Sequence, residues 1–468
     1  MLASKAVGTT LLALRMLSDP SLLTARLPPA LRGRLVRLRQ HAMQRSFAWN
    51  VSVMLVGTVA GQAVSLLLSP LLTRLYSPSE FGYLSVYSAV LGIFGTLASL
   101  GLDIAIPICM AEGECANLLA LNFLTLLGTT AAVALACWLV PAHTLATLWV
   151  ASLANDRWLL PVGFACLGGY YIMVAVATRS GSFNDIARTR ISQGVSGPLS
   201  QIMLALAGFG TPGLVLGYVI GQSSGTLLLF SRLVRQRAWL GGISWRGIAA
   251  SVHRYASFPL FASWTRTLDN AGAGTILFVL FSACYSSKIA GFMFLSERVI
   301  ARPLLILSTS LLQVFTGEAG RAISQDPLLL RRRFYQVVPL QFLLVAGWVL
   351  LANLAAGWAF PVLFGERWAD AVPYLRALSL SYLMLSILHP VSTTMQMLEQ
   401  QVTPAVWQVC RLSLLVGAVL LARQYGVSAV NALWICSVVQ AVCCLILLGL
   451  MAAAIEHVVR LWRGALAR

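Results

Sequence analysis

Long apolar segments recur along the sequence after residue 45, each about 17 to 25 residues in length. A helix of this length crosses the roughly 30 Å hydrocarbon core of a bilayer. The chain is 58% hydrophobic and only 10% charged, with a mean hydropathy of +0.81, so it has more apolar side chains than a soluble domain of its size needs. Short segments that alternate polar and apolar residues, the pattern of membrane β-barrels, are not seen. We therefore predict an all-α polytopic membrane protein.

The apolar segments predict about twelve transmembrane helices in two six-helix bundles around a central cavity. The spans are expected at 47–70, 82–103, 117–139, 159–178, 189–208, 213–231, 256–282, 289–312, 336–357, 373–396, 404–422 and 428–454. The domains are a basic cytoplasmic N-terminal extension (1–45), an N-terminal bundle (46–232), a cytoplasmic basic linker (233–255), a C-terminal bundle (256–456) and a cytoplasmic tail (457–468). No loop is long enough to form a separate domain, so we expect the function to lie within the bundles.

The net charge of +18 is distributed as a topology signal rather than as a nucleic-acid-binding surface. Basic residues concentrate in alternate segments, whereas the intervening segments hold only Arg74, Arg157, Lys288, Arg367 and Arg423. Cytoplasmic segments of membrane proteins are enriched in Lys and Arg, which predicts that both termini are cytoplasmic. The apolar run before Arg15 is short and lacks a cleavage site, so residues 1–45 are expected to be a basic extension rather than a signal peptide. The nine cysteines lack metal-ligand spacing. We expect them to pack as small apolar side chains that neither bind a metal nor form a disulfide.

Two segments repeat weakly at equivalent points of the two halves. "YSPSEFGYLSVYSAV" (76–90) aligns without gaps to "YSSKIAGFMFLSERV" (285–299). The identical positions are Tyr76/Tyr285, Ser77/Ser286, Gly82/Gly291 and Val90/Val299. Transporters often place a binding site between two repeats, and repeats with an even number of spans are parallel.

Four spans carry polar residues at helical spacing, and they are corresponding spans of the two halves. The residues are Asn50, Thr58, Gln62, Ser65 and Ser69 in the first span; Ser85, Ser88, Gly92, Ser99 and Asp103 in the second; Ser263, Arg266 and Asn270 in the seventh; and Arg298, Arg302, Thr309 and Gln313 in the eighth. Small polar residues also serve simply to pack helices, and that alternative stays open for each Ser and Thr.

The charged residues in these spans are more informative, because an ionisable group at the bilayer centre costs at least about 2.5–3.5 kcal/mol. Arg266 and Asp269 lie three residues apart and are able to neutralise each other. Arg298 and Arg302 are like charges on one face, and Glu297 points about 100° away from Arg298. Two guanidinium groups on one face suit a phosphate or pyrophosphate. Interhelical pairing and snorkelling are the alternatives for these two arginines.

Five segments resemble the Wzx-type, or PST, polysaccharide flippases of the multidrug/oligosaccharidyl-lipid/polysaccharide exporter superfamily. They are "LLTRLYSPSEFGYLSVYSAV", "DIAIPICMAEGECANLLAL", "RYASFPLFASWTRTLDNAG", "AGFMFLSERVIARPLLILSTSLLQVFTGEAGR" and "LFGERWADAVPYLRALS". The resemblance covers residues 46–400. One departure is "SLGLDIAI", which keeps an acid, Asp103, where family members often have Arg-Tyr-Glu.

The resemblance implies that an undecaprenyl-pyrophosphate-linked oligosaccharide crosses the bacterial inner membrane, from the cytoplasmic to the periplasmic leaflet, by alternating access. The cavity would be cationic and lined by spans one, two, seven and eight. The pyrophosphate would be held by Arg266, Arg298 and Arg302, and the sugars would meet Trp264, Asn270, Gln313 and Gln62. O-antigen, capsule and exopolysaccharide units are all open as substrates. A polysaccharide polymerase and its assembly machinery are further expected partners.

Flipping is expected to be coupled to H⁺ or Na⁺, with uncoupled flipping as an open alternative. The candidate carboxylates are Asp103, Asp269 and Glu297. Binding of a cation to one of them would neutralise its charge inside the cavity and so favour one conformation over the other. His389, before Pro390 in the tenth span, is either a proton acceptor or a hydrogen-bonded kink residue. Arg411 lies nearer a span end, where snorkelling to the interface is expected.

Other functions remain as alternatives. A drug/cation antiporter of the same superfamily would need a cavity rich in acidic residues, whereas the ionisable residues within these spans are more often arginine than acidic. A membrane enzyme such as a polysaccharide polymerase or O-antigen ligase would need a large outside loop, which the sequence lacks. A non-transporting scaffold or a scramblase of simpler lipids is the third alternative. We expect no enzymatic activity, no cofactor, no metal and no nucleic-acid partner.

Overall fold

The computed structural model describes residues 52–109, 111–140, 156–235, 242–256, 258–259, 263–325, 327–398, 400 and 402–466. The predicted N-terminal extension, 1–45, lies outside these residues. Within them the secondary structure is helical and contains no strand.

Twelve helical segments follow one another along the described chain and correspond to the predicted spans. They are α1 (Ser52–Leu75), α2 (Pro78–Leu97), α3 (Glu112–Leu139), α4 (Leu159–Arg179), α5 (Phe183–Leu206), α6 (Gly210–Arg235), α7 (263–284), α8 (Ser287–Gln325), α9 (Pro327–Ala359), α10 (Val372–Leu388), α11 (Val402–Gln424) and α12 (Ala429–Leu466). The prediction of an all-α protein with two halves of six spans is confirmed.

The twelve segments differ in how apolar they are. Within the described residues nine helices are long and apolar enough to cross a membrane, and α5, α7 and α8 are the segments that fall short. Burial separates them further, because 67% of the apolar window of α2 is buried but only 11% of that of α9. Helix α2 therefore lies inside the protein, whereas α9 presents most of its apolar surface outward, as lipid contact requires.

The two halves meet where the sequence repeats. A Cβ on Gly82 of α2 would lie 1.7 Å from the carbonyl oxygen of Ser287, and a Cβ on Gly291 of α8 would lie 1.8 Å from that of Pro78. These contacts are equivalent in the repeat alignment, since Pro78 corresponds to Ser287 as Gly82 does to Gly291. Glycine removes the side chain that would keep the two backbones apart. The repeat therefore marks a symmetric crossing of α2 and α8.

The same end of the bundle, predicted to be outside, is closed by an aromatic cluster. Trp368 is fully buried, its Nε1 donates to the carbonyl of Thr73 at 3.0 Å, and its ring lies edge-on to Phe81 at 5.0 Å and to Phe292 at 6.0 Å. Trp368 comes from a short helix after α9, whereas Thr73 belongs to α1. This end is thus sealed by residues of both halves.

A short amphipathic helix, Trp245–Arg254, lies in the linker between the halves. Ser244 caps it by accepting from the backbone N–H of Gly247 at 3.1 Å. Glu114 of α3 holds its far end, with Arg254 Nη1 at 3.0 Å. The linker helix is therefore attached to the first turn of α3 in the N-terminal half. The cytoplasmic location that the charge distribution indicates for this linker stays a prediction.

Spans α7 and α10 are among those in which the α-helix gives way to another helical form. In α7 a helix over Ser263–Asn270 gives way to a π-helical segment, Ala271–Thr275, before the helix Ile276–Cys284. Gly274 has φ of 97°, a conformation that favours glycine. Helix α10 ends at Leu388, and a 3₁₀ turn follows over His389–Val391.

The expectation that no cysteines pair is wrong for Cys109 and Cys115, which form a disulfide. The turn before α3 brings their Cα atoms to 5.7 Å, within the range of about 4.4–6.8 Å that disulfides require. Sequence spacing does not reveal such a turn. In a reducing compartment the two residues would be a pair of thiols.

We predict that Gly82→Ala destabilises the protein, because the added Cβ cannot fit against the Ser287 carbonyl. Overpacking of this kind costs about 1–3 kcal/mol or more. The melting temperature of purified protein in detergent should fall. Gly92→Ala in the same helix is the control, since a Cβ there meets nothing within 4 Å and alanine favours a helix. Equal melting temperatures for the two variants would contradict the tight crossing.

Candidate functional site

Helix α8 separates two cavities inside the bundle. The N-half cavity has a volume of about 230 Å³ and lies against α1, α5, α6 and α8. The C-half cavity has a volume of about 430 Å³ and lies against α8, the end of α10 and α11. Arg302 lines both, whereas Arg298 lines only the first and Glu297 only the second. Adjacent residues of one helix therefore face different chambers, as the 100° turn per residue predicts.

The wall of the N-half cavity is polar and cationic. It is formed by Thr58, Gly61, Gln62, Ser65, Arg190, Gln193, Gly194, Gly197, Pro198, Gln201, Tyr218, Gly221, Gln222, Arg298 and Arg302. Three of these residues are arginines and none is acidic. Glycines bring the helices close together: a Cβ on Gly194 of α5 would lie 2.2 Å from the Gly61 carbonyl oxygen of α1. The cavity is thus a narrow positive chamber.

The two arginines of α8 are held differently. Arg302 donates from Nη1 to Oε1 of Gln62 at 3.0 Å, which orients its guanidinium group toward α1. The guanidinium of Arg298 lies 5.2 Å from the ring centroid of Phe294, but its buried Nη1 has no hydrogen-bond partner among the described residues. A buried guanidinium nitrogen without a hydrogen-bond partner is costly, so an acceptor from a ligand would stabilise this arrangement.

The C-half cavity has a different lining, mostly apolar with a few polar groups. It is formed by Glu297, Ala301, Arg302, Leu305, Ser308, Tyr382, Leu385, Ser386, Leu388, His389, Ser392, Trp407, Gln408 and Arg411. Trp407 is fixed by its Nε1, which donates to the carbonyl of Cys443 at 2.7 Å, and by the guanidinium of Arg411 at 4.5 Å from its ring. Arg411 also donates to the carbonyl of Gly272 in the π-helical segment of α7. Arg411 is buried, so the expectation that it snorkels is wrong.

The polar faces of α2 and α7 contact each other instead of lining either cavity. Arg266 Nη1 lies 2.9 Å and 3.1 Å from the two carboxylate oxygens of Asp103, which also accepts from Ser99 Oγ at 2.6 Å. Beside this ion pair the hydroxyl groups of Thr96 and Thr267 are 2.8 Å apart. Arg266 is therefore neutralised by an acid of the other half, Asp103. This pairing is tertiary, since the 3₁₀ helix Leu102–Ile108 that follows α2 brings the buried carboxylate of Asp103 into reach. The side chain of Asp269 lies outside the described residues, so the Arg266–Asp269 pair that the sequence spacing indicated stays a prediction.

The remaining predicted residues divide into three groups. Gln62, Arg298 and Arg302 come together at the N-half cavity, and Glu297 and His389 line the C-half cavity. Asn270 donates to the carbonyl of Gly92 at 3.0 Å in the α2–α7 contact, and Trp264 is 59% exposed; neither lines a described cavity. The side chains of Asp269 and Gln313 lie outside the described residues. Roles for these residues in substrate or ion binding stay predictions.

Sequence reasoning missed the residues of α5, α6 and α11. Arg190, Gln193, Gly194, Gly197 and Gln201 line the N-half cavity from one face of α5, and their spacing is helical. This helical spacing is the signal that identifies the face, although an arginine near a span end is equally typical of cytoplasmic topology. Trp407, Gln408 and Arg411 are likewise one turn of α11. Within the described residues no cluster of three His, Cys, Asp or Glu side chains is able to hold a metal.

The fold is similar to that of transporters of the multidrug/oligosaccharidyl-lipid/polysaccharide (MOP) superfamily. The structure is similar to an inward-facing multidrug resistance MATE transporter of that superfamily, with a TM-score of 0.69, 15% identity, and coverage of 87% of this chain and 98% of the other. It is also similar to the lipid II flippase MurJ in an inward closed conformation, with a TM-score of 0.64, 10% identity, and coverage of 88% and 90%. An outward-facing MATE transporter matches with a TM-score of 0.54, 14% identity, and coverage of 87% and 96%.

The sequence itself matches the family model described as polysaccharide biosynthesis protein over residues 71–373. This range is more than half of the chain, and the protein belongs to this polysaccharide biosynthesis family. No curated protein matches the sequence. The resemblance to PST-type polysaccharide flippases is thereby confirmed.

We predict that Asp103 and Arg266 are energetically coupled. Asp103→Asn or Arg266→Gln alone leaves one charge without its partner, which costs about 1–3 kcal/mol or more for a buried group. The double variant removes both charges and should lose less stability than the sum of the single variants, by about 0.5–3 kcal/mol. Thermal unfolding of the four proteins in detergent measures this coupling.

Lys288 and Asp370 provide a matched control for that cycle. They form an ion pair at 3.5 Å, but their side chains are 53% and 71% exposed. Exposed pairs couple by about 1 kcal/mol or less. A coupling energy between Asp103→Asn and Arg266→Gln that is no larger than that of the control pair would show that this ion pair does not join the halves.

Proposed function

We propose that this protein is a flippase that moves an undecaprenyl-pyrophosphate-linked oligosaccharide from the cytoplasmic to the periplasmic leaflet of the bacterial inner membrane. The product would feed the biosynthesis of a surface polysaccharide. The observation that carries the proposal is the pair Arg298 and Arg302 on the wall of a polar cavity, with Nη1 of Arg298 buried and without a hydrogen-bond partner among the described residues. Membership of the polysaccharide biosynthesis family supports it.

A diphosphate fits the N-half cavity better than other ligands. Arg190 adds a third guanidinium to those of α8, so the wall carries three positive charges and no acid. Guanidinium groups bind phosphate oxygens through two parallel hydrogen bonds, and each charge-assisted bond is stronger than a neutral one. Gln62 keeps Arg302 in place before the ligand arrives. A cationic drug would be repelled by this wall, which argues against the antiporter alternative.

The described conformation supports loading from the cytoplasmic side. The end predicted to be outside is closed by the crossing of α2 and α8 and by buried Trp368. The similarity to an inward-facing MATE transporter is higher than that to an outward-facing one. We infer that substrate enters this state from the cytoplasmic leaflet and that the opposite state opens outward. A reporter active only in the cytoplasm, fused to the C-terminal end, tests the assumed orientation.

Glu297 is the carboxylate that we propose for ion coupling. Asp103 is already neutralised by Arg266, whereas Glu297 forms no ion pair within 4.0 Å with a described residue and lines the C-half cavity next to Arg302. Binding of H⁺ or Na⁺ to Glu297 would change the charge around Arg302 and thereby its affinity for an anion. A cation shifts the conformational equilibrium only if it binds one state more tightly, and this local charge change supplies such a difference.

We predict that Arg298→Gln and Arg302→Gln abolish most flipping. Each loses charge-assisted hydrogen bonds of about 1.5–3 kcal/mol, which corresponds to about 10- to 100-fold weaker anion binding. Fluorescent undecaprenyl-pyrophosphate saccharide in proteoliposomes reports flipping, and lipid-linked repeat units should accumulate on the cytoplasmic face in cells. Arg376→Gln, an exposed arginine of α10, is the matched control and should leave flipping unchanged.

The same assay with and without an H⁺ or Na⁺ gradient tests coupling. Glu297→Gln should remove the dependence on the gradient, and wild-type flipping that is indifferent to both gradients would refute coupling. Normal surface polysaccharide in both the Arg298→Gln and the Arg302→Gln strains would refute the proposed anion site.

A further inference from the structure

We propose that the C-half cavity is a sugar-binding subsite, in which Trp407 stacks on the first sugar ring attached to the diphosphate. This assignment rests on the proposed function and names the part of the substrate that the second chamber recognises. Trp407 lines this cavity, whereas Trp264, the aromatic residue that the resemblance implied for sugar contact, lines neither cavity, and its role stays a prediction.

The position of Arg302 connects the two chambers. Its side chain lines both the N-half and the C-half cavity, so a phosphate bound to it lies at their common wall. The group attached to that phosphate would then reach the C-half cavity directly. At about 430 Å³ this cavity is the larger of the two and falls in the usual range of about 300–1,000 Å³ for small-molecule sites.

The lining has the mixture of surfaces that a sugar requires. A pyranose ring has an apolar face of C–H groups and an edge of hydroxyl groups. Trp407 and Tyr382 supply flat aromatic surface, while Glu297, His389 and Gln408 supply polar groups at the same wall. The Nδ1 atom of His389 is buried and has no hydrogen-bond partner among the described residues. A hydroxyl group would satisfy it.

These polar groups argue against the polyprenyl chain as the occupant. A buried polar group left against hydrocarbon costs roughly 2–7 kcal/mol, and an isolated carboxylate costs far more. Glu297 and His389 would both carry that cost if a hydrocarbon chain filled the cavity. A carboxylate accepts hydrogen bonds from hydroxyl groups, so a sugar offsets the cost.

Trp407 is prepared for stacking before any ligand binds. Its Nε1 donates to the Cys443 carbonyl at 2.7 Å, and the Arg411 guanidinium lies 4.5 Å from the ring centroid. Arg411 is in turn tied to the carbonyl of Gly272. A rigid aromatic side chain loses little conformational entropy on binding, which favours recognition. Trp407 is therefore assigned as a specificity-determining residue.

The test compares two lipids on the full-length protein in nanodiscs, with affinity measured by thermophoresis. One probe is undecaprenyl pyrophosphate, and the other is the same lipid carrying one hexose or one N-acetylhexosamine. Trp407→Ala should weaken binding of the glycosylated lipid at least 10-fold and change binding of the sugar-free lipid less than 2-fold. Trp407→Phe keeps an aromatic face and should restore most of the affinity.

Controls separate stacking from structural damage. The Phe and Ala variants both lose the hydrogen bond to Cys443, so this bond does not account for a difference between them. Trp407 also packs against the core of the C-terminal half, and binding of the sugar-free lipid reports any damage from that lost packing. Trp358→Ala, at a 69% exposed position of α9, should change neither affinity. Arg302→Gln should weaken the binding of both lipids, since Arg302 is proposed to bind the diphosphate that they share.

Three results would overturn the assignment. Equal affinity of the wild type for both lipids would show that the sugar is not recognised. If Trp407→Ala lowers the affinity for both lipids equally, the cavity binds the polyprenyl chain that they share instead of the sugar. Failure of the wild type to bind either lipid would refute the proposed function, and the sugar subsite with it.

Discussion

The cost of keeping a guanidinium group away from water organises this bundle. Arg266 meets that cost through a carboxylate of the other half, Asp103, at 2.9 Å, and Arg302 through the amide of Gln62 at 3.0 Å. Arg298 has a buried nitrogen with no such acceptor among the described residues. The same constraint therefore produces an interhelical contact in one place and an anion-binding wall in another.

The halves are joined by two kinds of contact along α2. At the end predicted to be outside, Gly82 and Gly291 allow the backbones of α2 and α8 to touch. Beyond the other end of α2, Asp103 of the 3₁₀ helix that follows it forms a polar contact with Arg266 of α7. Backbone contact of this kind depends on close shape fit, whereas the ion pair tolerates rearrangement if another partner or water is supplied. Alternating access would require the outside contact to open, so α2 is the helix whose contacts any transport cycle must exchange.

Adjacent residues of helix α8 point into different cavities, because successive residues of a helix are rotated by about 100°. The two cavities therefore receive side chains of different chemistry from the same helix. Arg298 faces a cavity whose lining includes three arginines, and its neighbour Glu297 faces a cavity lined by Trp407 and Tyr382. Arg302 is common to both. A ligand with a diphosphate joined to a sugar has the same division between charge and ring. This correspondence is the physical basis for treating the two cavities as one divided site.

The sequence by itself determined the membrane class and the number and order of spans, because hydrophobic length is a local property. It also showed the repeat that contains Gly82 and Gly291, but the tertiary structure showed that these glycines lie at a crossing of α2 and α8. Only the tertiary structure decided which partner each charge takes. Asp103 and Arg266 are 163 residues apart, and Arg302 and Gln62 are 240 apart. Such pairings depend on how helices pack across the bundle, which no spacing along one helix encodes.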